Sequence, residues 1–386
     1  MTTPEPQDLI LHRLAHFART TGAEPALMQR DDSGAWKPIS WAEYQDRVNA
    51  FAAACIALGL PVGGAVGIIG ESRAEWPIAA LGAMSSGGMA AGIYQTASGE
   101  QSAYILHHCE AMVVVVETAA QWRKLLPHLG NLPKLRRVVF MTASADVPAD
   151  ARQVVSPAGG PLGQSWSEFL SSGRAFADAV PQRVAALLPD QVASLIYTSG
   201  TTGQPKGVML THQNIAWTAA CVLKVHPPAT QGREIVVAYL PLSHIAEQMW
   251  SIYGAISAGA CVYFAGGIDK LRETLLAARP TIFLAVPRVW EKLQEAIAEK
   301  MAAAKPVQRR VIAWARDVGL RSGQYRLEHG EPYGLLAIEE RLASKLFFSK
   351  VKAGLGLDRV RVAVSGAAAV RKEVLDFFLS LQLPIH

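Results

Sequence analysis

Cysteine is scarce: Cys55, Cys109, Cys221 and Cys261 are the only four in 386 residues, with no Cys-x-x-Cys pair and no His at ligand spacing beside them. This excludes a disulfide-stapled scaffold and a cysteine-based zinc site, and leaves buried reduced thiols as the ordinary reading. Charge is sparse too. Charged residues make up 18% of the chain and hydrophobic residues 50%, which excludes a disordered or fibrous polypeptide. The 37 Lys and Arg against 32 Asp and Glu give a net charge of only +5, and no basic run is long enough for a nucleic-acid surface. The amino terminus lacks the apolar core of a secretory signal, which points to a cytoplasmic protein. Long hydrophobic runs are missing as well. Trp76–Gly99 and Gln248–Ile268 carry no charge, but Gly and Ser interrupt both. A spanning helix needs about 20 predominantly apolar residues, so these stretches read as buried helix–strand units.

What is present alternates between helical and extended patterns. Ser40 and Glu43 form a capping box ahead of Tyr44, Val48, Phe51, Cys55 and Leu58 at helical spacing, with Gly59 as the stop. Val66–Ile69, Met89–Tyr94, Ala111–Val116 and Leu135–Met141 read as strands, with helices between them. Residues 143–190 are rich in Pro, Gly, Ser and Ala, and read as an irregular crossing between a lobe at 8–142 and a second at 191–386. The second lobe predicts strands at Val192–Tyr197, Val208–Leu210, Ile235–Leu240, Cys261–Phe264, Thr281–Ala285 and Arg361–Ser365. Thr211 caps a helix, and residues 289–353 are largely helical. The fold class is α/β, stacked lobes with mostly parallel sheets. His12 and His16 share a helix face without a third ligand, and read as a solvent-facing pair rather than a metal site.

The densest chemistry lies in Thr198-Ser-Gly-Thr-Thr-Gly-Gln-Pro-Lys-Gly207. Its glycines let backbone approach a ligand closely, its hydroxyls and N–H groups are donors, and Lys206 is a cation. The set suits an anion. It is not a Walker A loop, because Lys206 leads into Gly207 and a strand-like Val-Met-Leu instead of directly into a helix. A hydroxyl-rich turn capping its own backbone does not explain the Pro-Lys-Gly ending.

Preceded by Tyr197, this segment resembles the signature of the adenylate-forming superfamily: acyl-CoA and aryl-CoA synthetases, luciferases and peptide-synthetase adenylation domains. The resemblance runs along the whole chain and implies the large N-terminal domain of that fold. It implies that Thr198, Ser199, Gly200, Thr201, Thr202, Gly203 and Lys206 wrap the β- and γ-phosphates of ATP. Thr198 would help hold Mg2+, and Lys206 would offset charge as pyrophosphate leaves. In Tyr239-Leu-Pro-Leu-Ser-His-Ile-Ala-Glu-Gln248, the resemblance places His244 beside the carboxylate and α-phosphate, as a donor to the mixed anhydride. Glu247 reads as a structural hydrogen-bond partner, and Gln248 departs from the Arg common at that place. Ala285-Val-Pro-Arg-Val-Trp-Glu-Lys-Leu293 is similar to the long-chain, bubblegum-type branch. Val364-Ser-Gly-Ala-Ala-Ala-Val370 matches the adenine turn, giving Gly366, Ala367 and Ala368 as its residues.

The reaction so implied is two-step activation of a long-chain fatty acid: acyl-AMP and pyrophosphate from ATP, then a thioester with coenzyme A. The family would continue past Leu383-Pro-Ile-His386 into Tyr-Gly-x-Thr-Glu, a ribose-binding Asp and a small C-terminal domain with a catalytic Lys. The 386-residue chain is therefore expected to lack that domain and to turn over weakly or not at all. Two alternatives stand beside this: a nucleotide- or acyl-binding protein or split-enzyme subunit without catalysis of its own, and an acyl-AMP ligase that loads a carrier protein. Long fatty acids partition into bilayers, so peripheral membrane contact is compatible with the substrate.

Overall fold

A computed structural model describes residues 9–198, 203–229 and 232–386. The chain divides into two compact units, Met1–Gln231 with Ala238–Ile268, and Gly232–Val237 with Asp269–His386.

The first unit opens with a helix, Ile10–Thr20, and an antiparallel pair, β1 (Pro25–Arg30) and β2 (Trp36–Ser40). Ser40 then caps the helix Trp41–Ala57: its Oγ accepts from Glu43 N, and the Glu43 carboxylate accepts from Ser40 N. That helix ends at Leu58, and Gly59 supplies the left-handed residue at φ 82°. It buries Trp41, Tyr44, Val48, Phe51 and Cys55.

The main sheet follows: β3 (Ala65–Ile69), β4 (Met89–Ile93), β5 (Val113–Val116), β6 (Arg137–Phe140), β7 (Gly163–Ser165), β8 (Val192–Thr198) and β9 (Lys206–Thr211). Its order is β7-β6-β5-β3-β4-β8-β9, parallel throughout until β9 turns back antiparallel to β8. The four consecutive valines of β5 are fully buried, as a strand covered on both faces requires. Each such side chain contributes on the order of 1.5–3 kcal/mol.

The expected irregular crossing at 143–190 is corrected here. Those residues hold β7 and the helices Ala149–Gln153, Trp166–Ser172 and Ala179–Ala185. The sheet joins strands from both predicted lobes, so the boundary between compact units does not fall in that stretch. Small residues there allow close packing: a Cβ on Gly173 would stand 2.1 Å from Ala54 N.

β10 (Ile235–Ala238) is the strand along which the chain passes from one unit into the other, and β11 (Cys261–Phe264) lies parallel to β1. In the second unit β12 (Ile282–Ala285) and β13 (Val362–Ser365) pair in parallel. Around them run the helices Pro287–Ala302, Pro306–His329 and Lys372–Leu379, and a continuous helical run from Gly334 to Leu355. Trp290 is fully buried between the rings of Phe283 and Phe378. Among the described residues no helix is long and apolar enough to cross a membrane.

Candidate active site

The glycine-rich segment is flanked by two strands, β8 and β9, that pair antiparallel. Strand register sets Thr198 opposite Lys206 and Tyr197 opposite Gly207. Both Thr198 and Lys206 are exposed, at the mouth of the hairpin. Ser199, Gly200, Thr201 and Thr202 lie outside the described residues. Gly203 has φ 121°, which a side chain rarely adopts, and a Cβ there would meet nothing within 4 Å among the described residues.

Beneath the mouth the hairpin is braced. A Cβ on Gly207 would press to 3.1 Å on the ring of Tyr197, whose hydroxyl is 2.8 Å from His108 Nδ1. Burial pushes the Tyr197 hydroxyl well above the ordinary tyrosine range. It is a structural phenol, not an acid–base group.

The segment 239–248 is held against the same sheet. Gln248 is fully buried: its Nε2 donates to Leu242 O at 2.8 Å, and its Oε1 accepts from Tyr253 and from Ser194 of β8, at 3.0 and 3.3 Å. Gln248 and Tyr253 are five residues apart, a spacing served by the π-helical turn Met249–Gly254. Gly92 of β4 makes room for this packing, since a Cβ would stand 2.9 Å from Ser243 Cα. Sequence reading noted Gln248 only as a departure from the expected Arg. Its amide, which both donates and accepts, ties the His244 segment to the strand that leads into the hairpin.

His244 is exposed at the N-cap of the turn Ile245–Gln248. Its Nδ1 accepts from Ala246 N at 3.1 Å, so the neutral ring carries its proton on Nε2. Nε2 is therefore the outward donor. Glu247 is buried, accepting from Tyr239 N at 3.2 Å and from Ser251 Oγ at 2.7 Å. Burial dominates those bonds and raises its pKa to about 8.

In the second unit, β13 runs into Gly366, Ala367 and Ala368. Ser365 Oγ donates to Ala285 O at 3.1 Å, fixing the strand end. Ala367 then takes φ 70°, a left-handed conformation that costs a non-glycine residue on the order of 1 kcal/mol. Ala367 and Ala368 are exposed, and a Cβ on Gly366 would touch only Leu284 Cδ1 at 3.9 Å. A flat ligand meets little side chain there. His16 is exposed as expected, but His12 is half-buried; burial of His212, and after it the nearby His12, depresses the His212 pKa to about 4. The reading of a solvent-facing pair is corrected on that point.

The family model for AMP-binding enzymes matches residues 14–385. The chain belongs to the AMP-binding enzyme family. Among curated members it is 40% identical over 358 residues to long-chain-fatty-acid–CoA ligase ACSBG2 of Xenopus laevis, spanning 91% of this chain and 46% of that one. It is 36% identical over 372 residues to human ACSBG2, spanning 94% and 53%. The chain spans about half the length of the curated relatives it matches. Solved AMP-binding folds agree: the A domain of carboxylic acid reductase from Segniliparus rugosus, in complex with AMP, superposes with a TM-score of 0.67 at 21% identity, covering 98% of this chain and 59% of that one. Anthranilate CoA ligase AuaEII, in complex with anthranoyl-AMP, gives a TM-score of 0.67 at 18% identity, covering 99% and 60%. The α/β architecture with parallel sheets is thus that of the N-terminal domain of adenylate-forming enzymes.

An exposed hydroxyl, Thr198, and an exposed ammonium, Lys206, stand opposite each other in strand register where β8 and β9 meet the glycine-rich segment. No group of three or more His, Cys, Asp or Glu capable of holding a metal occurs among the described residues.

Proposed function

We propose that this chain supplies the nucleotide- and carboxylate-binding part of a long-chain fatty acid–CoA ligase. The observation that carries the reading is the open Thr198–Gly207 hairpin with the His244 segment fastened to its base strand, in a chain whose curated relatives are long-chain-fatty-acid–CoA ligases. A fatty carboxylate attacks the α-phosphate of ATP, giving acyl-AMP and pyrophosphate, and the thiolate of coenzyme A then displaces AMP. Lys206 offsets charge that builds on the departing pyrophosphate. His244 donates from Nε2 to the mixed anhydride. The hydroxyls and N–H groups of Thr198, Ser199, Gly200, Thr201, Thr202 and Gly203 take the β- and γ-phosphates, and Gly366, Ala367 and Ala368 take the adenine. Mg2+ bound with the nucleotide would supply further charge neutralisation, with Thr198 as its protein ligand. A cytoplasmic enzyme in peripheral contact with membrane suits so apolar a substrate.

The test is exchange of labelled pyrophosphate into ATP, with palmitate or benzoate as acid, on the purified chain and on the complete product of its reading frame. Palmitate-dependent exchange by the complete product is expected, lowered about 100- to 1,000-fold by Lys206→Ala. ATP binding without acid-dependent exchange by that product overturns the enzymatic reading.

A further inference from the structure

The helical run Gly334–Leu355 exposes an apolar stripe that nothing in the second unit covers. Leu335, Ile338, Leu342 and Leu346 recur at spacings of three and four, and are 72%, 54%, 50% and 50% exposed. Tyr333, just before the run, is 77% exposed. The other face is anchored, with Ala343, Phe347 and Phe348 buried. Four apolar side chains in line on one helix face are more than scattered surface leucines.

The charges around the stripe select its occupant. The two acids of the run point their charge inward: Glu339 pairs with Arg321 at 3.1 Å and Glu340 with Arg326 at 3.0 Å. Arg341, Lys345 and Lys350 remain exposed beside the leucines. An apolar face flanked by cations is the pattern of a helix lying in the interface of an anionic bilayer.

We propose that residues 333–350 form a membrane-contact face that seats on anionic lipid headgroups. The leucines and Ile338 enter the headgroup–acyl boundary, and Arg341, Lys345 and Lys350 meet lipid phosphates and carboxylates. This face shares no residue with the hairpin or the His244 segment, so it holds whether or not the chain catalyses.

The experiment is cosedimentation of the purified chain, without ATP or fatty acid, on phosphatidylcholine vesicles with and without 30% phosphatidylserine as the assay composition. Binding to the anionic vesicles is expected. Lys345→Glu should weaken it at least about fivefold, and 0.5 M salt as the assay condition should weaken it similarly. Leu342→Ser with Leu346→Ser should reduce it at least about tenfold with unchanged circular dichroism. Val155→Ser, at an exposed valine elsewhere, should leave it intact. Absence of vesicle binding, or binding indifferent to the Leu342/Leu346 pair, overturns the proposal. A concentration-dependent dimer that the double substitution dissolves also overturns it, and assigns the stripe to a second copy.

Discussion

Glu247 carries a carboxyl group to a place water does not reach, and its pKa of about 8 means the folded state holds a proton there that the unfolded chain releases near 4.5. The sign follows from that difference. The folded pKa is raised, so the favourable contribution is full below about 4.5 and is lost as pH rises toward 8. Glu247→Gln keeps the shape without the titration. Its thermal midpoint should match that of the parent near the lower pH, exceed it increasingly up to pH 8, and be checked by scanning calorimetry across that window. Gly366 offers a different test at the same scale. A methyl group fits there sterically, with only Leu284 nearby, so Gly366→Ala should leave the melting temperature unchanged. If adenine lies on this backbone, the same methyl should raise the ATP dissociation constant about tenfold, equivalent to about 1.4 kcal/mol, by isothermal calorimetry.

Two junctions show how elements are held at their ends. β9 finishes at Thr211, which immediately caps the helix His212–Val225: its Oγ1 accepts from Asn214 N, and the Asn214 side chain accepts from Thr211 N. One residue thus closes the phosphate hairpin and starts the next helix. Thr211→Ala should cost about 1 kcal/mol in urea unfolding. The other junction is Gly173, at the end of the helix Trp166–Ser172, where the chain touches the backbone of the helix Trp41–Ala57. Because the obstacle is main chain and not a flexible side-chain tip, Gly173→Ala should cost about 3 kcal/mol or more, at the upper end of overpacking penalties. The same measurement reads it.

Across the whole molecule, the two compact units are organised by different means. The first is built on a parallel sheet with continuous apolar strands. The second draws the distant segment 232–237 into itself: Ile235 N donates to Thr281 Oγ1 and Thr281 N to Ile235 O, each at 2.9 Å. Glu234, 2% exposed, accepts from Arg361 and from Thr281 Oγ1. Glu234→Gln removes the charge that pairs with the Arg361 guanidinium. Since that arginine is about one-third exposed, the cost should be discounted to about 2 kcal/mol from the 3–5 of a fully buried pair. Hydrogen exchange should show faster opening of β12 and β13, with β3–β6 protected as before.

Local pattern alone determined most of the parallel sheet and most helices outside 143–190, because a strand covered on both faces must be apolar without interruption and a capping box needs only four neighbouring residues. The hairpin of β1 and β2 escaped notice, since Pro25 and Pro38 disguise its alternation. The helices within 143–190 escaped because small residues that permit close packing look like loop composition. The segment Thr198–Gly207 read as an anion-binding sequence before any fold was known, whereas His244 entered only through the family resemblance. Tertiary structure decided what fastens them: Gln248 reaches Ser194 across 54 positions of sequence, and Gly92 is bare because Ser243 lies against it. It also decided that Ala367 is left-handed and that the Leu335–Leu346 stripe faces outward. Periodicity shows that a helix has an apolar face; only packing shows whether that face is covered.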